Sequence, residues 1–172
     1  MNASELEATI DNPVFDPETG EVHHTGLFHG QRLAMSLDAA SLAAINLANI
    51  SLARIKLLLR GDRGLPVMLA GTPGVESGLM MLETLGAAVV AKLRASGAAT
   101  SVQSIAASAY QEDHVSMSFS AAEGFGAAIE GLSQVLAAEA ICAARAAEFR
   151  GGSLAHDLMA VLELVRDIVG RG

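Results

Sequence analysis

At 172 residues, with 51% apolar residues but only 3% aromatic and no tryptophan, the chain is long enough for one domain with a core of Ala, Leu, Ile, Val and Met. Its net charge of -8 is spread along the sequence, and its 11 Lys and Arg form no cluster, which argues against a nucleic-acid partner. The opening residues MNASELEATIDNP carry neither a basic nor an apolar stretch, and the most apolar helix contains Asn46, Asn49 and Ser51. No signal peptide or membrane span is therefore expected, and the chain is read as cytoplasmic.

In chain order, the first predicted element is a short hairpin, in which Pro17 and Gly20 supply turn geometry between Pro13-Val14-Phe15 and Glu21 to His24. Residues 31–59 follow as a helix with apolar residues on every side, a pattern that predicts extensive burial. Gly61, Gly64 and Pro66 stop it. A second helix is predicted from Val75 or Glu76 to Arg94, with basic residues in its last turn that suit the helix dipole. Residues 95–107 have loop composition. Ser108 with Gln111 then fits a capping box, which predicts a helix running on to Arg150 with Glu112 and Asp113 in its first turn. Gly124, Gly126 and Gly131 weaken that helix and mark candidate close-packing positions. After Gly151-Gly152, Ser153 is predicted to cap a last amphipathic helix that ends at Gly170.

The expected fold is all-α, an elongated helical bundle with a short N-terminal β-hairpin. It forms a single domain over 1–172, with the hairpin and entry segment in 1–30 and the helices in 31–172. Such apolar helices exceed what one short chain can cover, so a homo-oligomer or a subunit of a larger assembly is expected. The lone cysteine, Cys142, lies in the Ala-rich run AAEAICAARAAEF and reads as a buried small apolar residue. His23, His24 and His29 are close in sequence, but adjacent strand residues point to opposite faces and no HExxH or CxxC spacing accompanies them. No metal site is assigned.

One row of residues has mixed chemistry that chance rarely assembles: Gln111, Glu112, Asp113, His114, Val115, Ser116 and Met117. It resembles the QEDHVSM signature of the histidine and aromatic amino-acid ammonia-lyases. In family order it is joined by DNPVFDPETGEV at 11–22, FHGQRLAM at 28–35, NISLARI at 49–55, GLP at 64–66 and SGLM at 77–80. The resemblance covers about residues 5–150.

The resemblance implies that Glu112 and Phe28 line a substrate pocket, with His29, Gln111 and His114 as further substrate-binding candidates from the same motifs. Glu112 and Tyr110 are the catalytic candidates, because a carboxylate can hold a cation or accept a proton and a phenol beside it can donate one. On a helix, Glu112 and His114 would face different sides and form no acid–base dyad. The family's electrophile, 4-methylidene-imidazol-5-one, and its catalytic tyrosine belong to a segment that would precede Met1. No cofactor is therefore expected on this chain unless a partner supplies it. Ala95-Ser96-Gly97 has the composition of the ring precursor but lies where the family has ordinary helix-to-loop sequence.

Three departures mark altered pocket chemistry: Leu27 stands for the family's Asn, Tyr110 for Asn or Ser, and Glu76 for the Asn of NSG. The expected function is that of a C-terminal subunit of a split ammonia-lyase, not a lyase on its own, paired with an N-terminal lyase-like chain and acting on a small-molecule substrate. A stand-alone enzyme doing electrophile-independent proton transfer (isomerisation, elimination or cyclisation), or a non-catalytic scaffold, are the alternatives.

Overall fold

The computed structural model describes residues 5, 7–151 and 156–170. Among them, the elements are a two-stranded sheet and four α-helices: β1 (Val14–Phe15), β2 (Val22–His23), α1 (Gln31–Leu59), α2 (Met80–Ala95), α3 (Ser118–Arg150) and α4 (His156–Val169). The strands pair antiparallel, with Val14 opposite His23 and Phe15 opposite Val22. Their turn closes as the sequence predicts. The Asp16 carboxylate accepts the Glu18 amide at 2.9 Å, and Gly20 adopts a φ of 74° that a side chain would disfavour.

The chain divides into two compact units, Met1–Ala43 with Gly97–Ala127, and Ala44–Ser96 with Ala128–Gly172. The second holds the main core. Along α1, Ala44, Ala48, Leu52, Ile55 and Leu59 are buried, and along α3 so are Ala128, Leu132, Val135, Ala138, Cys142 and Ala146. Spacings of three and four place each set on one helical stripe. Small residues let the backbones approach closely, and a Cβ on Gly131 would sit 2.8 Å from Leu93 Cδ2. Ser51 and Glu139 add a polar seam beside this core: Ser51 donates to Glu139 at 2.6 Å, and Arg54 also binds that carboxylate. The Arg54 hydrogen bond holds the Glu139 carboxyl below its ordinary range, against the opposing effect of burial.

Three sequence expectations are corrected. First, within the single chain the burial of α1 is confined to one stripe: Met35, Leu42, Leu47, Ile50 and Leu57 remain exposed.

Second, α2 starts at Met80 rather than Val75 or Glu76. Residues 71–79 fold back instead, with the Glu76 carboxylate accepting the Gly71 amide at 2.9 Å and the Thr72 amide at 3.2 Å. The Leu79 amide donates to Met68 O at 2.8 Å. That reversal requires glycine at position 78, where φ is 55° and a Cβ would fall 2.2 Å from Met68 O.

Third, α3 begins at Ser118 and not at Ser108. Ser108, Ala109 and Tyr110 have positive φ, so this segment turns left-handed and cannot open an α-helix.

Of the three glycines singled out in α3, only Gly131 meets a close neighbour. Gly126 meets nothing within 4 Å, and Gly124 only Thr100 Oγ1 at 4.0 Å. Cys142 is fully buried, and burial, followed by the charges of Glu139 and Glu83, pushes its thiol up to about 11. Ser153, the predicted cap of α4, lies outside the described residues. Gly170 ends α4 with a φ of 83°. Helices α1 and α3 have the length and hydropathy of membrane-crossing segments, although Ser51 and Arg54 of α1 both bond to Glu139 of α3 beside their core-facing stripes.

Candidate active site

All six site residues picked from the sequence fall in the first compact unit. Phe28 and His29 occupy a single 3-10 turn, Leu27–His29, closed by Gly30 in the left-handed region. A side chain there would be strained, and its Cβ would press to 3.2 Å from Ser118 Oγ. Tyr110, Gln111, Glu112 and His114 belong to a loop that ends where α3 begins. The loop is closed by an antiparallel bridge: the Ala107 amide donates to Glu112 O at 2.8 Å, and the Glu112 amide donates back at 3.3 Å. Ser104 Oγ accepts the Val115 amide at 2.9 Å. Glu112 and Asp113 therefore precede α3 by a full turn and more, and the helix dipole does not act on them as the sequence predicts.

The loop's approach is anchored from α1. Asp38, itself buried, accepts the Thr100 amide at 3.0 Å and the Ser101 amide at 2.8 Å. Burial works against the charged form, but the hydrogen bonds from Ser101 and Thr100 outweigh it and hold the Asp38 carboxyl below its ordinary value. Sequence reasoning passed over Asp38. The available signal was the only acidic residue of a largely apolar helix, which has to find partners to be buried.

The structure brings two of the six residues into direct contact. His114 Nδ1 lies 3.2 Å from His29 Nε2, with ring centroids 5.3 Å apart and planes tilted by 41°. Phe28 is 55% exposed and Tyr110 84%, and Glu112 and Gln111 are also exposed. The side chains of Tyr110, Gln111 and Glu112 make no hydrogen bond among the described residues. No group of three or more metal-capable side chains assembles among the described residues, and His23 stands instead beside Glu21 at 3.4 Å. Two departures from the family pattern acquire a location: Leu27 is exposed in the same turn as Phe28, and Glu76 staples a loop of the other unit by its carboxylate.

Ala95-Ser96-Gly97 lies at the C-terminus of α2. The Ser96 amide donates to Lys92 O, and its hydroxyl reaches Lys92 O at 3.2 Å and Leu93 O at 3.1 Å. The amide and the hydroxyl of the serine are thus both engaged in ending a helix.

The motif row, its loop and the phenylalanine turn agree with one family, and comparison with known proteins decides it. The profile of the family described as "Aromatic amino acid lyase" matches residues 2–167. The chain belongs to the aromatic amino acid lyase family. It is 42% identical over 165 residues to histidine ammonia-lyase of Streptomyces coelicolor, covering 94% of this chain and 32% of that one. With histidine ammonia-lyase of Deinococcus radiodurans it shares 39% over 168 residues, 97% of this chain and 32% of the relative. Among solved structures, phenylalanine aminomutase of Pantoea agglomerans superposes with a TM-score of 0.91 at 32% identity, over 95% of this chain and 33% of that one. Histidine ammonia-lyase of Trypanosoma cruzi gives a TM-score of 0.83 at 31% identity, over 96% of this chain and 33% of that one. The lyase-family chain thus spans about a third of the length of these relatives. Its helices and hairpin are those of the lyase and aminomutase fold.

Proposed function

We propose that this chain is the C-terminal subunit of a split aromatic amino-acid ammonia-lyase, contributing the wall of the pocket that receives the substrate side chain. The supporting observation is that the Phe28 turn and the Glu112 loop are joined through His29 and His114 while Phe28, Tyr110 and Glu112 remain exposed. Two linked segments that leave these candidate residues open to solvent are consistent with a partial site. In this reading Glu112 accepts a hydrogen bond from a cationic or N–H-bearing substrate group, and Phe28 packs against its ring. The electrophile, which activates the amino group, is furnished by a separate lyase-like polypeptide. Support for this comes from the helix-ending role of Ser96, the serine of Ala95-Ser96-Gly97. The assembly is cytoplasmic, and the exposed apolar faces of α1 and α4 are buried in its oligomer.

Co-expression with an N-terminal lyase chain tests this directly. Deamination of histidine, phenylalanine or tyrosine is expected from the complex and from neither chain alone, and Glu112→Gln is expected to lower kcat/KM at least about tenfold with an unchanged circular dichroism spectrum. No complex and no deamination with any of the three amino acids would rule the reading out. Tyr110 beside Glu112 in place of the family's Asn or Ser favours a second reading, a stand-alone enzyme that moves a proton without the electrophile. Turnover by the isolated chain would select it.

A further inference from the structure

The 27–30 turn and the 107–117 loop lie far apart in sequence, and each is held from within. The turn depends on Gly30. The loop depends on the Ala107–Glu112 bridge and the Ser104 hydroxyl. Neither set of bonds fixes one segment against the other. Among the described residues, the side-chain hydrogen bond that does so is His114 Nδ1 to His29 Nε2 at 3.2 Å.

An imidazole pair at this separation is complementary when one ring nitrogen carries the proton and the other offers its lone pair. His29 is half-buried and His114 is exposed, so water competes for the bond from the His114 side. The loop also needs an external hold: Ser108, Ala109 and Tyr110 all have positive φ, between 51° and 68°. Conformations of this kind persist only where the surroundings over-determine them.

We propose that His29 and His114 are a pair of positioning residues, whose mutual hydrogen bond sets the spacing between the Phe28 ring and the Glu112 carboxylate. This deepens the lyase reading and rests on it for its catalytic consequence, but the clamp itself is a property of the chain alone. Neither histidine need touch substrate. His29 carries Phe28 as its immediate neighbour, and His114 lies two residues from Glu112, so each ring transmits the constraint through a few backbone bonds. The geometry also states which replacements preserve the link. Glutamine places an amide nitrogen or oxygen near the position of Nε2, and asparagine places one near Nδ1.

The first test uses the full-length chain without a partner. Amide hydrogen exchange at Glu112 and Val115 is expected to accelerate about five- to tenfold in His29→Leu and in His114→Leu. Thr100 and Ser101, which Asp38 holds, should exchange as in the wild type. His29→Gln and His114→Asn should return the loop to near wild-type exchange. The imidazole 15N resonances of His114 should shift in His29→Leu and stay in place in His23→Leu. Unchanged exchange at Glu112 and unchanged His114 nitrogens in His29→Leu would overturn the proposal, as would a leucine variant that speeds exchange equally at Thr100 and Ser101.

The second test uses the reconstituted lyase. The leucine variants should raise KM about five- to tenfold with kcat within about twofold, and the amide variants should restore it. Loss of kcat with KM unchanged would overturn the positioning role. A wild-type complex without activity would instead count against the lyase reading, and the exchange and 15N results would still decide whether the clamp exists.

Discussion

Asp38 illustrates how much a single side chain decides. Its two carboxylate oxygens satisfy the Thr100 and Ser101 amides at a position that is 7% exposed. Removing it strands two amides, one of them on buried Ser101, at a cost on the order of 1–3 kcal/mol. Asp38→Ala is therefore expected to lower the urea midpoint by a corresponding amount at neutral pH. The pH dependence has a defined sign. The folded carboxyl sits below its ordinary value of 3.8, so its stabilisation is complete above that value and disappears as pH falls through the lower, folded one. The gap between wild type and Asp38→Ala should close below about pH 4, and a gap that widened on acidification would contradict the assignment. Phe28, Glu112 and the two histidines stand out in sequence as candidates because they sit in unbroken motif rows. The pairing of His29 with His114 was not legible there, since no local periodicity relates residues so far apart in the chain.

For the helices, interior pattern was a better guide than ends. The span of α1 and the C-terminal limits of α2 and α3 follow from apolar periodicity and glycine stops. The starts of α2 and α3 do not, because local alternatives outcompete the first turn. Glu76 satisfies loop amides that a helix would have used, and the Ala107–Glu112 bridge takes the place of a capping box. Two glycines of α3 give opposite expectations from the same substitution. At Gly126, where a Cβ meets nothing within 4 Å, alanine should stabilise by about 0.5–1 kcal/mol through helix propensity. At Gly131 it would crowd buried Leu93, whose Cδ2, Cδ1 and Cγ lie 2.8–3.0 Å from the added carbon. Overpacking of about 1–3 kcal/mol exceeds the propensity gain there. Thermal unfolding of the two variants measures the contrast, and equal shifts of the same sign would refute the packing account.

At the scale of the whole chain, composition and exposed apolar surface both point to association. The second unit buries one stripe each of α1 and α3, yet Leu47, Ile50 and Leu57 on α1 and Leu158, Val161, Leu164 and Ile168 on α4 stay exposed. So many large apolar side chains exceed the scattered exposure normal for a monomer. Sedimentation at micromolar concentration should show a species of at least twice the chain's mass, and a stable monomer would argue against the oligomer proposed above. What the sequence left open was how the two pocket segments would be held, since that depends on contacts between distant parts of the chain.

Tyr110, the only tyrosine of a chain without tryptophan, is 84% exposed on the motif loop. The near-ultraviolet emission of this polypeptide therefore originates at the rim of the candidate pocket, and a tryptophan-bearing binding partner could quench it by energy transfer. An optical reporter is thus already built into the surface where docking is expected, and association could be followed there without attaching a dye.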